Sequence, residues 1–281
     1  MDYAGRVAVI TGAGSGFGRE FARVAASRGM KLALADINQT SLDETVHELR
    51  EGGAAVIGVQ TDVSSAEAIQ ALADATMAAF GAVHLLFNNA GVASGGFVWE
   101  STPADWQWVM GANVWSVIHG VRIFTPLMLA HGEPAHIVNT ASAAGLISAP
   151  NMGIYNLSKH AVVSLSETLY HDLQLAQAQV GVSVLCPAFV PTGIAHSHRN
   201  RPVDLANDTP PTPSMLKAQQ ASVKAVESGR ISAAEIAAIT FAAIDAGQFY
   251  IVPHEKILDL VALRMQDMLA LRNPSSATSL S

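Results

Sequence analysis

Arg6-Val-Ala-Val-Ile-Thr-Gly-Ala-Gly-Ser-Gly-Phe-Gly18 is a β-branched, apolar run that ends in four glycines within seven residues. Its first part reads as a strand, Val7 to Thr11, and the chain from about Phe17 as the start of a helix. Glycines at such a junction let the chain turn tightly. They also let backbone N–H groups approach a pyrophosphate, which the positive end of the helix attracts further. The spacing G-x-G-x-x-G fails because Phe17 occupies its third position. The spacing T-G-x-x-x-G-x-G fits, carried by Gly12, Gly16 and Gly18 with Ser15 and Phe17 between them. A glycine-rich turn without a ligand is the plainer reading of these residues alone.

Beyond this turn, short apolar runs alternate with longer helical patterns. The strands are Lys31 to Asp36, Ala55 to Gln60, His84 to Asn88, His136 to Thr140 and Val182 to Cys186. That alternation predicts an α/β fold: a doubly wound parallel sheet with right-handed helical crossovers covering both faces. Ser64 with Glu67 and Ser232 with Glu235 have capping-box spacing, and Thr102-Pro103 sets a cap before a first-turn proline. Neither an internal repeat nor a linker divides the chain, so 1–254 is expected to be one domain. After the sixth strand the pattern breaks from 192 to about 230, where Pro202, Pro210, Pro211 and Pro213 precede a helix from Ser214 to near Gly229. An excursion at a strand's C-terminal end suggests a lid over a ligand, with a disordered surface insert as the alternative. A helix is expected over 255–272, where Ile257, Leu260, Val261, Leu263 and Met265 mix with polar positions, and a loose tail over 273–281.

Composition narrows the function. A net charge of −7 offers no basic stripe, so nucleic acid is not an expected partner. The start lacks the pattern of a signal peptide, and no apolar run reaches membrane-spanning length. Cys186, the single cysteine, cannot form an internal disulfide and reads as a packing thiol. These features point to a cytoplasmic protein that handles small molecules, with no membrane.

The second strand ends in Asp36, about 20 residues past the glycines, where dinucleotide folds place an acid against the adenosine ribose. A carboxylate accepts from both ribose hydroxyls and repels a 2′-phosphate that carries up to roughly two negative charges. Neither Ser15 nor Ile37 supplies a compensating cation, so NAD is expected over NADP. Asp36 also suits a cap for the helix that starts near Gln39.

Tyr155-Asn-Leu-Ser-Lys159 puts a tyrosine and a lysine on one helical face. Phenol, with a reference pKa of about 10, is a poor base at neutral pH. A neighbouring ammonium, together with an oxidised nicotinamide ring, is expected to favour the phenolate. Alone, such a pair is an ordinary helix face. Ser142, in Asn139-Thr-Ala-Ser142 at a strand end, stands thirteen positions before Tyr155.

These motifs together resemble the short-chain dehydrogenase/reductase family over Arg6 to about Pro253: T-G-x-x-x-G-x-G, Asp62-Val63, Asn88-Asn-Ala-Gly91, Asn113, Ser142 and Tyr155-x-x-x-Lys159. The resemblance implies a single-domain Rossmann fold of seven strands, the last over Gln248 to Pro253, and homodimers or homotetramers. It implies that Asp62-Val63 hold the adenine, that Asn89 steadies the sheet, and that Asn89, Ala90 and Gly91 line the cofactor. Ser142 binds the substrate oxygen, Tyr155 is the acid/base, Lys159 holds the cofactor ribose, and Asn113, on the long fourth helix, links the lysine to solvent through a water. Cys186-Pro-Ala-Phe-Val-Pro-Thr192 resembles the family's P-G-x-V-x-T segment, so Pro187, Val190 and Thr192 are expected at the nicotinamide. Ala188 in place of Gly and the added Pro191 depart from that pattern and stiffen the backbone on both sides of Val190.

The expected activity interconverts a secondary alcohol and a ketone with NAD. A substrate wall of Phe97, Trp99, Ala143, Ala144, Leu146, Met152, Ile154 and Phe189 favours a bulky hydrophobic molecule. His196, His198 and Arg199 in the lid read as solvated side chains, the alternative being a site for a substrate carboxylate or phosphate; no metal is expected. The competing functions are a non-catalytic NAD-binding regulator and a 3-oxoacyl thioester reductase.

Overall fold

The computed structural model describes residues 2–275. Its strands are β1 (Val7–Thr11), β2 (Lys31–Asp36), β3 (Val56–Gln60), β4 (Leu85–Asn88), β5 (Ala135–Thr140), β6 (Val180–Leu185) and β7 (Tyr250–Ile251). They form one parallel sheet in the order β3-β2-β1-β4-β5-β6-β7. The helices are α1 (Gly16–Ser27), α2 (Gln39–Glu51), α3 (Ala66–Phe80), α4 (Pro103–Met110), α5 (Ser116–His131) and α6 (Gly153–Leu175). Then follow α7 (Pro213–Glu227), α8 (Ala233–Asp245) and α9 (Lys256–Leu269). This is the doubly wound, seven-stranded Rossmann sheet that the alternating pattern predicts.

A parallel strand is buried on both faces, and β1 shows how its residues divide. Ala8 and Ile10 join a core with Phe21 and Ala22 of α1, Leu42 of α2 and Phe241 of α8. Val9 faces the opposite core, with Ile69 and Leu72 of α3, Phe124 of α5 and Leu169 of α6. The winding reverses between β1 and β4, so the turns that follow these two strands lie side by side. In open α/β sheets that crevice is where ligands bind.

Several expectations need correction. Ser65, not Ser64, caps α3: its hydroxyl oxygen accepts from the Ala68 amide at 3.1 Å. Ser64 is already committed, donating through both its amide and its hydroxyl to Asp62 Oδ1. Asn38 rather than Asp36 caps α2. The last strand is shorter than expected, since only Tyr250 and Ile251 pair, with Val184 and Leu185. The long fourth helix is interrupted by a π-helical turn, Gly111–Trp115, where the Asn113 side chain exchanges hydrogen bonds with the Val92 backbone. The capping boxes at Thr102 and at Ser232 form as expected.

The excursion after β6 folds into two 3₁₀ turns, Gly193–Asn200 and Val203–Leu205, followed by α7. It is anchored to the chain around α4. Asp105 accepts from Arg201 Nη1 at 2.6 Å and from Asn207 Nδ2 at 3.0 Å, and Glu100 accepts from the hydroxyls of Thr212 and Ser214. Beyond α9 the Ser275 amide donates to Asp267 at 2.8 Å, which ties back the first residues of the expected loose tail. The rest of that tail, 276–281, lies outside the described residues. Among the described residues no helix is long and apolar enough to cross a membrane.

Candidate active site

At the C-terminal ends of the strands lies a cavity of about 780 Å³. Gly12 and Gly16 adopt left-handed φ of +67° and +52°, a region that other residues enter only with strain. A Cβ on Gly12 would stand 3.0 Å from Ala90 Cα, so the two switch-point turns meet without a side chain between them. Gly12, Ser15, Gly16 and Phe17 line the cavity. Gly18 does not. It packs beneath the turn, where a Cβ would overlap the Gly12 carbonyl oxygen, so its contribution is close helix-to-strand approach.

Asp36 Oδ2 accepts from the Gly14 amide at 2.9 Å and Oδ1 from the Asn38 amide at 2.9 Å. These two bonds fix the carboxylate of Asp36, which lines the cavity together with Asp62 and Val63. Asn89 joins the ends of β1 and β4: its amide donates to Thr11 Oγ1 and its Nδ2 to Thr11 O, each at 2.9 Å. Asn89, Ala90 and Gly91 complete this part of the lining. Bare backbone at the glycine turn, a helix N-terminus behind it and a carboxylate beyond fit a dinucleotide.

Ser142 and Tyr155 line the cavity at its other part, and Lys159 stands beneath them. Ser142, two residues past β5, caps the 3₁₀ turn Ala143–Gly145: its oxygen accepts from the Ala144 amide at 3.2 Å and its hydroxyl donates to Pro187 O at 3.3 Å. Lys159 Nζ donates to Thr140 O at 2.9 Å and lies 5.7 Å from the centre of the Tyr155 ring. Burial raises the Tyr155 phenol above its ordinary pKa, against the opposing hydrogen bond from Ser142. Burial also lowers the Lys159 ammonium to about 8. Both groups are desolvated, which disfavours the charged form of each.

Asn113 lies behind the cavity wall and is buried. Its Oδ1 accepts from the Val92 amide at 2.8 Å, while Nδ2 donates to Val92 O and Ser158 Oγ, both at 3.0 Å. It faces Lys159 across Gly91, whose Cβ position is 3.0 Å from Asn113 Oδ1 and 3.5 Å from Lys159 Nζ. Ser158 escaped the sequence reading, although it lies inside the Tyr155 to Lys159 motif.

Pro187, Phe189, Val190 and Thr192 line the cavity, so the Ala188 and Pro191 replacements leave this segment at the site. His254 steadies it, with Nδ1 accepting from the Ala188 amide at 3.2 Å. The substrate wall is corrected in part. Ala143, Ala144 and Met152 line the cavity, but Phe97, Trp99, Leu146 and Ile154 do not. A bridge between Gly96 and Met152 and a hydrogen bond from the Phe97 amide to Ser214 hold the 97–99 segment at the surface, where the Phe97 and Trp99 rings stack at 4.7 Å. Ile154 packs behind Trp108, and Leu146 packs against the Val162 and Val163 side of α6. In their place stand Trp108, Ile147, Leu205, Ile257 and Leu260. Of these, only the α9 pair was visible in the sequence, as an apolar face without a known partner. Among the described residues no cluster of three or more His, Cys, Asp or Glu could hold a metal ion. Cys186 is buried, with its thiol pushed up to about 12 by desolvation.

Comparison with known proteins gives concordant matches. The model of the short chain dehydrogenase family matches residues 6–202. A short chain dehydrogenase/reductase from Burkholderia phymatum, solved in complex with NAD, superposes with a TM-score of 0.97 at 59% identity over 98% of each chain. The CLA biosynthesis dehydrogenase/reductase of Lactiplantibacillus plantarum is 35% identical over 94% of this chain and 93% of its own. The 1-deoxy-11-beta-hydroxypentalenate dehydrogenase of Streptomyces avermitilis is 32% identical over 87% of this chain and 83% of its own.

Proposed function

The chain belongs to the short chain dehydrogenase family of oxidoreductases, and from that premise we propose that it interconverts a secondary alcohol and a ketone with NAD. The observation that carries this reading is the meeting, in one cavity, of Ser142 and Tyr155 with the glycine turn and Asp36. NAD spans these two groups. Gly12, Ser15, Gly16 and Phe17 hold its pyrophosphate, Asp36 its adenosine ribose, Asp62 and Val63 its adenine, and Pro187, Val190 and Thr192 its nicotinamide. When bound, the nicotinamide supplies the site that takes or gives hydride.

Everything else falls to side chains of the protein. Ser142 orients the substrate oxygen, and Tyr155 holds the proton that this oxygen gains in reduction and gives up in oxidation. The raised pKa of the buried phenol suits it as the acid of the reductive direction. Lys159 holds the cofactor ribose, its ammonium kept in place by donation to Thr140 O. Asn113 holds the Gly91–Val92 backbone in place beside it.

The substrate is bulky and largely apolar. Trp108, Met152, Phe189 and Leu205 line its part of the cavity, and the 193–227 segment acts as a lid. The exposed apolar side chains of α9 and α6, among them Leu157 and Met268, suit a homo-oligomer in the cytoplasm.

Reduction of NAD⁺ by a panel of aryl and long-chain secondary alcohols, repeated with NADP⁺, tests this reading. Turnover with at least tenfold preference for NAD⁺ is expected. Absence of turnover across the panel in both directions, or a preference for NADP⁺, would overturn it.

A further inference from the structure

Fixed charge is scarce along the cavity. Asp36 and Asp62 belong to the cofactor end, and Lys159 is bonded to Thr140 O, which leaves Arg199 as the remaining charged side chain of the lining. Arg201, two residues on, is consumed by Asp105, Asn207 and Leu205 O. Arg199 is not consumed: among the described residues it makes no hydrogen bond or ion pair. The two lid histidines part from it here. His196 borders a separate small hollow beside Val223, and His198 borders neither cavity.

The guanidinium has a definite seat. Arg199 folds back over Gly193, where a Cβ would lie 2.9 Å from Nη2, so any larger residue at 193 would displace it. Gly193 follows Thr192, whose Cβ lies 3.4 Å from the Cβ position of Gly16. The charge thus hangs from the segment after β6 beside the glycine turn, solvent-exposed and part of a cavity lining that also includes Ile194 and Trp108. A guanidinium presents a planar fork that matches the oxygens of carboxylates and phosphates.

We propose that Arg199 is an anion-binding residue that draws the 193–200 segment onto the molecule in the cavity. The anion is a phosphate oxygen of the cofactor's pyrophosphate or a carboxylate carried by the substrate. The inference rests on the alcohol-and-NAD reading of the cavity, and its test is built on binding so that the two fail separately.

The test compares wild type with Arg199→Gln and Arg199→Lys. NADH affinity is measured by fluorescence titration. Calorimetry on NADH-saturated enzyme then compares 4-(1-hydroxyethyl)benzoate with its methyl ester, a dead-end complex that needs no turnover. If the pyrophosphate is the anion, Arg199→Gln weakens NADH tenfold or more and Arg199→Lys weakens it less. If a substrate carboxylate is the anion, NADH affinity holds, wild type prefers the acid over the ester by about tenfold, and Arg199→Gln abolishes that preference. NADH affinity within twofold of wild type, together with an acid-to-ester ratio that Arg199→Gln leaves unchanged, would overturn the proposal. A wild-type enzyme that binds NADH but oxidises no alcohol sinks the alcohol reading and leaves this comparison readable.

Discussion

At one end of the cavity the residues follow directly on the strands: the 12–18 turn after β1, Asp36 closing β2, and Asp62-Val63 just past β3. At the other end the walls come from Trp108 in α4, Leu205 in a 3₁₀ turn, and Ile257 and Leu260 in α9, which are distant in sequence from one another. The first end is held by the sheet itself, whose main-chain ladder and packed faces leave its turns one position. The second is held by side chains reaching between segments, such as Asp105 to Arg201 and Glu100 to Thr212. Rigid backbone suits a partner that every reaction shares, and adaptable side-chain contacts suit one that varies.

If the two ends work separately, damage to one leaves the other intact. Tyr155→Phe, which removes only the phenolic oxygen, should lower turnover by roughly 10²- to 10⁴-fold. NADH affinity, followed by fluorescence, should stay close to wild type. A parallel loss of NADH binding would show that the phenol supports the cofactor end as well, and the division would break.

Gly18→Ala acts from the opposite side. The added methyl would overlap the Gly12 carbonyl oxygen and approach Asn89 Nδ2 within 2.9 Å, forcing α1 away from β1. Overpacking of this kind costs about 1–3 kcal/mol, so the urea midpoint should fall and NADH should bind more weakly. An unchanged midpoint would mean that the glycine turn is softer than the contact implies.

The smallest effect is expected at the segment after β6. Burial would raise the Asp105 carboxyl, but hydrogen bonds from the Thr102 amide, Asn207, Arg201 and the Thr102 hydroxyl outweigh it and hold the pKa below the usual value. A depressed folded-state pKa means that the contribution is present above the unfolded pKa and is lost as pH falls through the folded one. Hydrogen exchange over 193–227 should therefore accelerate below the ordinary carboxylate range while the 12–18 turn stays protected. Asp105→Asn, which costs about 1.5 kcal/mol, the low end for a lost charge-assisted hydrogen bond, should show the faster exchange already at neutral pH. Equal acceleration in both regions would mean that lid and sheet open together.

The sequence alone determined the parallel sheet, the glycine turn, Asp36 and the spacing of Ser142, Tyr155 and Lys159. Each depends on a local rule: strand alternation, a turn that needs left-handed φ, or two side chains one helical turn apart. Details of caps were less legible, because Ser64 and Ser65 both suit the role and only the prior claim of Asp62 on Ser64 decides between them. Tertiary structure alone decided the substrate wall. Phe97 and Trp99 are as apolar as Trp108 and Leu205, but a backbone bridge from Gly96 turns the first pair outward. It also decided how far Tyr155 is desolvated, since burial by the fold raises its phenol above the ordinary pKa. Composition records that a residue is apolar or ionisable; which face it presents, and how much water it loses, depends on segments that meet only when the chain is folded.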